Sequence, residues 1–560
     1  MKRYVLLSLL LSGLVANAQQ YPTDYFRSPL NIALYLAGNF GECRPNHFHS
    51  GIDIKTNGQE NLPVYAAADG YVSRIKMEPG GFGHGIYITH PNGYTTLYAH
   101  LNNFMPELQR YVKAEQYKKQ NWEVDLSLSP DQFPVKKGQQ IAWSGNTGAS
   151  TAPHLHFEIR NTKSEHPLNP LLFGFDVKDN IAPIPLTVGV YNMNESIYEQ
   201  TPKVIGLKKK GDAYTLADTV MVNSKLAGVS VNINDFMNGS NNSLNYYTAD
   251  IYLDSVLQGR ITLDDIGYDE TRYMHAFVDY KTKKLTGNWM QNMFQLPNNR
   301  LDHIYNWSNP NNGKLDIADG QSHKVNILFA DAFYNKTTVS LYLKHSGIDS
   351  TSPCNATLFK ANEANHYKHP NVRIELDDKA LYDDVCFQFD NNTDVSAYSE
   401  KFSLDKSYVP VHTSFKVNIK PNRSIGFDSR DKIAMVYSDG KEETGKAAKY
   451  EDGGFYVASF RNFGDYRLVM DTEPPVIKSL QKNGASLAKA QRITFKATDA
   501  VTSVKKFSGV LDGKWICLEQ HGDLFFYTFD EHCSKGKHTL VFTATDENNN
   551  KQTLNYTFIR

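Results

Sequence analysis

Between residues 60 and 160, apolar positions come in short runs or alternate with polar ones, the period-two signature of strands. Val64-Tyr65-Ala66-Ala67, Gly70-Tyr71-Val72 and Gly85-Ile86-Tyr87-Ile88-Thr89 are such runs. Pro91-Asn92-Gly93 predicts a tight turn into Tyr94-Thr95-Thr96-Leu97-Tyr98-Ala99. Gln140-Ile141-Ala142-Trp143 then leads through the turn residues Gly145-Asn146-Thr147-Gly148 to His154-Leu155-His156-Phe157-Glu158-Ile159. The pattern predicts a compact antiparallel β domain. Residues 106–134 break it, being polar with Leu108, Tyr111 and Val112 at helical spacing, and they read as an insertion made of a helix and a loop.

Beyond His166-Pro167-Leu168-Asn169-Pro170, strand-length runs separated by Asn, Asp and Gly turns continue to the end of the chain. Two of them echo one another. His323-Lys324-Val325-Asn326-Ile327 leads to Asp331 and Asn335-Lys336, and His538-Thr539-Leu540-Val541-Phe542 leads to Asp546 and Asn550-Lys551 at the same spacings. Each resembles the closing hairpin of a β-sandwich module. Asp471-Thr472-Glu473-Pro474-Pro475 reads as a linker, since consecutive prolines cannot continue a central strand. The predicted fold is mostly β: a small antiparallel β domain over 19–175, a β-sandwich over 176–345, a β-rich domain over 346–470 and an Ig-like sandwich over 471–560.

The chain opens with Lys2 and Arg3, an apolar run from Tyr4 to Val15, and the small-x-small sequence Ala16-Asn17-Ala18. These are the three parts of a secretory signal peptide, here residues 1–18. The run is short for a spanning helix, and no later stretch is long and apolar enough to span. The mature chain is therefore expected to have no transmembrane segment and to be exported, whether periplasmic, cell-surface or secreted.

A length of 560 residues exceeds what one core supports. The 33 Tyr and 30 Phe favour strands over helix bundles. A net charge of -1 gives no long-range electrostatic case for nucleic acid or an anionic membrane as the main partner. Five cysteines, at 43, 354, 386, 517 and 533, are too few for a disulfide scaffold. Cys517 with Cys533 is the first expected bridge and Cys354 with Cys386 a weaker second, which leaves Cys43 over. No C-x-x-C pair suggests a zinc-thiolate site.

The chemistry gathers near the N-terminus. His49 and Asp53 form an H-x-x-x-D pair, and His154 and His156, two apart on a strand, project to one face. Each pair alone is a weak signal. Together, two histidines and a carboxylate supply three protein ligands and leave one tetrahedral position open, as catalytic zinc sites do. No H-E-x-x-H supplies a glutamate base, so another group must take the proton from an activated water. His100, ending the run Leu97-Tyr98-Ala99-His100-Leu101, and one histidine of the 154/156 pair are the candidates. Gly80-Gly81-Phe82-Gly83-His84-Gly85 lacks the strand-loop-helix context of a phosphate loop and reads as a hairpin edge. His90 reads as structural and His47 as a surface or supporting residue. Arg44 is a candidate for binding a substrate carboxylate or, equally, for an ordinary ion pair.

Four blocks in series resemble the lysostaphin/LytM-type zinc metallopeptidases: His49-Ser50-Gly51-Ile52-Asp53, Ala68-Asp69-Gly70-Tyr71-Val72, Leu97-Tyr98-Ala99-His100-Leu101, and Gly145-Asn146-Thr147-Gly148 through Pro153-His154-Leu155-His156-Phe157-Glu158. Their order and spacing match, apart from the 106–134 insertion. The resemblance implies that His49, Asp53 and His156 bind Zn2+, that His100 and His154 are catalytic, and that the substrate is a short peptide, chiefly the stem or cross-bridge peptide of peptidoglycan. Glu158 and Tyr98 are candidates for orienting the histidines. Inactive members of the family lack ligands, whereas all five residues are present here. An exported zinc endopeptidase is therefore favoured over a non-enzymatic wall-binding protein or hydrolase activator. The insertion, starting just after His100, is expected to line one wall of the substrate groove. The C-terminal β domains are expected to contact cell wall or protein.

Overall fold

The computed structural model describes residues 21–451 and 453–560; the signal-peptide expectation for 1–18 lies outside them. The chain is 46% strand and 8% helix, with no described helix long and apolar enough to cross a membrane.

Residues 21–175 build a nine-stranded sheet and a three-stranded one. The large sheet runs in the order Leu36–Gly38, Ile52–Lys55, His154–Asn161, Tyr94–Ala99, His84–Thr89, Gly70–Met77, Val124–Ser127. Its central strand His154–Asn161 shows why the sequence chooses this fold. Leu155, Phe157 and Ile159 turn to one face and join a buried core with Ile52, Ile54, Val72, Ile75, Ile86 and Ile88. His154, His156, Glu158 and Arg160 turn to the other, where they face the site.

The segment read as an insertion, 106–134, is a helix over Pro106–Lys119 followed by Val124–Ser127 and Pro134–Val135, both paired with Gly70–Met77. Pro106 opens the helix, where its missing N–H costs nothing. Leu108, Val112 and Gln116 are its buried face. Its outer face meets the far end of the chain. Tyr117 stacks on His532 with ring centroids 3.9 Å apart and donates to Asp530 at 2.9 Å, and Lys113 pairs with Asp530 at 2.7 Å. The helix is thus a docking element for the C-terminal module.

Residues 184–345 form a five- and an eight-stranded sheet, and residues 365–470 two five-stranded sheets. These two regions share one buried apolar cluster. Two short strands, Ala213–Thr215 and Val220–Val222, run parallel to Lys336–His345, a local exception to the antiparallel pattern. The last module is a sandwich of two four-stranded sheets around Phe495, Phe525, Phe542 and Tyr556. The two echoed segments are hairpins, Ser322–Ala330 with Lys336–His345 and Lys537–Asp546 with Lys551–Ile559.

The cysteine expectation is corrected. Cys354 and Cys386 form the disulfide, while Cys517 and Cys533 are separate buried thiols. Cys517 belongs to the core shared with the peptidase-like domain and Cys533 to the core of the last sandwich. Proximity in sequence therefore does not become proximity across a sheet.

Candidate metal centre

Sheet register brings the expected residues together. His156 lies opposite Asp53 on one side and Ala99 on the other, so His100 begins one residue beyond a strand neighbour of His156. His49 reaches the same point from the turn before Ile52–Lys55. Gly51 permits that turn: a Cβ there would stand 2.4 Å from the carbonyl of Phe157. His100 adopts a left-handed backbone, φ 59°, unusual for a side-chain-bearing residue. Its amide donates to the carbonyl of Phe82 at 2.9 Å and its Nδ1–H to that of Thr147 at 2.8 Å, which hold it there.

His49 Nε2, His156 Nδ1 and Asp53 Oδ1 lie within 2.9–3.1 Å of one another. Their outer partners fix the tautomers. His49 donates Nδ1–H to the carbonyl of Asn39 at 2.8 Å, and His156 donates Nε2–H to Glu158 at 2.8 Å. What remains at the centre is two imidazole lone pairs and a carboxylate oxygen, a donor set that suits a divalent cation.

His100 and His154 sit beside this trio with ring centroids 4.7 Å apart. His154 donates Nδ1–H to the carbonyl of Ala152 at 2.8 Å. Its Nε2 is buried, lies 3.4 Å from Asp53 and has no hydrogen-bond partner among the described residues. Both rings therefore turn an Nε2 toward the site.

The electrostatics follow from burial and close pairing. Burial pushes His49 down to about 4, against the pull of Asp53. Burial together with the neighbouring His156 and His154 pushes His100 down to about 3, which keeps it a neutral base. Burial opposes a charge on Asp53, but His49, His154 and His156 hold its carboxyl well below the usual range. Burial likewise opposes a charge on His156, yet Asp53 and Glu158 outweigh it and raise the imidazole to about 9. The carboxylates that favour a positive charge on His156 also favour one at the centre of the trio.

Three supporting groups were not foreseen. Arg160 pairs with Glu158 at 2.7 Å, and against the cost of burial its charge helps hold that carboxyl down at about 2. Period two along His154–Asn161 carries that signal in the sequence. Tyr268, from the second module, donates its hydroxyl to Glu158 Oε2 at 2.7 Å and receives Arg160 at 2.6 Å. Its sequence separation from Glu158 is 110 residues, and nothing in the sequence marks it. Asn39 contributes only a carbonyl. Arg44 grips Asp53 Oδ2 at 2.6 Å and Glu42 at 3.4 Å, the ion-pair alternative. Tyr98 instead bonds the Ala67 amide and Thr96, away from the histidines. His90 bonds the carbonyl of Asp69 and Thr96 in a structural role, and His47 is exposed.

Comparison with known proteins places this geometry. Residues 47–117 and 125–170 match the model of Peptidase family M23, and residues 356–471 match that of a Zu5-like domain. An uncharacterized metalloprotease of Haemophilus influenzae is 36% identical over 135 residues, 24% of this chain and 22% of its own. The DD-carboxypeptidase/endopeptidase Mpg of Neisseria gonorrhoeae is 36% identical over 123 residues, 22% of each. The peptidoglycan DD-endopeptidase ShyA of Vibrio cholerae is 35% identical over 149 residues, 26% of this chain and 29% of its own. The match thus spans under a third of each relative's length. Within that span, the chain carries a domain of Peptidase family M23, the lysostaphin/LytM-type peptidases.

Proposed function

We propose that the protein is an exported zinc endopeptidase that cleaves peptide bonds in peptidoglycan stem or cross-bridge peptides. The convergence of His49 Nε2, Asp53 Oδ1 and His156 Nδ1, with two further Nε2 atoms beside them, carries this reading. His49, Asp53 and His156 would hold the zinc. When bound, the ion supplies Lewis acidity, acidifying a water and polarising the scissile carbonyl.

The chain's own groups do the rest. His100 and His154 present Nε2 atoms whose opposite nitrogens are committed to carbonyls. One, neutral at Nε2, takes the proton of the attacking water, and the other, protonated at Nε2, donates to the oxygen developing on the substrate carbonyl. Glu158, braced by Arg160, Ser50 and Tyr268, keeps His156 presenting Nδ1. Arg44 aligns Asp53 by its second oxygen.

The names of the Neisseria and Vibrio relatives support peptidoglycan as substrate and its D,D bonds as the bond class. They also support action outside the cytoplasm. A wall-binding or activator role without catalysis is disfavoured because no member of the five-residue set is displaced. Purified sacculi incubated with the full chain should release peptides with new amino termini, identified by mass spectrometry, and His156→Ala should release none. Intact sacculi after incubation with a zinc-loaded chain would refute the assignment.

A further inference from the structure

Outside the histidine site, three carboxylates converge at the joint between the peptidase domain and the second module. Asp179 lies in the link 176–183, Asp235 follows the strand Leu226–Asn234, and Asp331 follows Ser322–Ala330. One oxygen of each lies within 4.8 Å of the others. Asp331 and Asp179 are partly satisfied by the amides of Phe333, Asn335 and Ile181. Asp235 is not. It is 2% exposed, and its Oδ1 is sealed from solvent with no donor among the described residues. The side-chain charges bearing on it are those of Asp331 and Asp179, both negative. Burying such a carboxylate unpaired is costly, and coordination of a cation removes the cost.

The last module repeats the arrangement and supplies a contrast. Asp471, Asp499 and Asp546 cluster in the same way. Asn550 donates to Asp546 and to the carbonyl of Asp471, as Asn335 donates to Asp331 and to the carbonyl of Asp179. There, however, Lys432 donates Nζ to Asn550 at 2.6 Å, placing an ammonium beside the cluster. Among the described residues, no cation bears on the first cluster in this way.

We propose that Asp179, Asp235 and Asp331 bind one calcium ion that pins the second module to the peptidase domain, and that Lys432 takes the place of a cation at the repeated cluster. An all-oxygen, three-carboxylate set of irregular origin suits calcium, not the zinc of the histidine site. Three segments meeting at the ion grip the catalytic sheet. Met237 and Ser240, in the loop after Asp235, bond the backbone of Leu36. Leu36–Gly38 pairs in turn with the strand bearing Asp53. Ala332 and Phe333, after Asp331, pack against the peptidase core.

The test is calorimetric titration of the full, zinc-loaded chain with calcium chloride, followed by thermal unfolding. One calcium per chain should bind, with affinity between about micromolar and millimolar, and raise the unfolding temperature by several degrees. Asp235→Asn should weaken binding at least tenfold and cancel the thermal shift while zinc content stays unchanged. Asp179→Asn, at the less buried position, serves the same purpose if Asp235→Asn does not fold. Asp499→Asn should bind calcium as the parent does. No binding at millimolar calcium, a preference for magnesium, or unaltered binding in both Asp235→Asn and Asp179→Asn would overturn the site. Two ions per chain would overturn the role given to Lys432.

Discussion

Tyr268 shows how a residue remote in sequence can enter the peptidase site. Its hydroxyl is shared between Glu158 and Arg160, and Glu158 in turn receives the Nε2–H of His156. Removing that hydroxyl should loosen His156 without touching the substrate. Tyr268→Phe is therefore expected to lower zinc affinity about tenfold, at the mild end of what outer partners of metal ligands contribute. Competition with a chromogenic chelator reads this, and unchanged affinity would make Tyr268 a packing residue only. Arg44→Met should act more strongly, by about 10–100-fold, because Asp53 Oδ2 loses the guanidinium that holds it. Substitution of the two histidines proposed to handle protons should separate chemistry from binding. His100→Ala and His154→Ala should keep zinc and lose roughly 10²–10⁴-fold in kcat, the usual range for removing a general acid or base. Loss of metal in both would make them ligands or determinants of the fold. Motif spacing and strand periodicity, both local, brought His49, Asp53, His154 and His156 forward, and the resemblance to the lysostaphin/LytM type implied which of them, with His100, would bind metal and which would handle protons. Tyr268 was not legible, since its role depends on where another module comes to rest, and only the turn that sets Arg44 beside Asp53 decided between its two readings.

At the scale of elements, the segment 106–134 makes contacts that the sequence did not announce. Its helix was legible from Leu108, Tyr111 and Val112, but its partner was not, because Tyr117 and Lys113 read as an ordinary polar face. They meet Asp530, His532 and Trp515, more than 390 residues later in the chain. Tyr117→Ala should cost about 1–3 kcal/mol at this contact and expose the last module to limited proteolysis near 471–475, with zinc content preserved. An unaltered digestion pattern would mean that the contact contributes little. The cysteines give an independent check on the sheets. Alkylation of the denatured, unreduced mature chain should modify three thiols, Cys43, Cys517 and Cys533, and reduction should add the pair Cys354 and Cys386. A bridge between Cys517 and Cys533 would instead require the last module to pack differently, since they lie in separate cores.

For the whole molecule, the β character followed from alternation and turn residues, and the resemblance of four motif blocks placed the peptidase domain at the N-terminal end. The way the chain closes on itself did not. Tyr268 from the second module and Asp530 from the last both reach the peptidase domain, so these modules brace the catalytic sheet as well as extending the chain. We propose the four units read from the sequence as its domains, with the second and third joined through one apolar cluster. The central claim is that His49, Asp53 and His156 hold a single zinc ion on which hydrolysis depends. Zinc analysis of the purified full chain, beside His156→Ala and His100→Ala, tests it most directly. The parent and His100→Ala should each carry one zinc per chain, and His156→Ala essentially none. Full zinc content in His156→Ala, or none in the parent, would contradict the account.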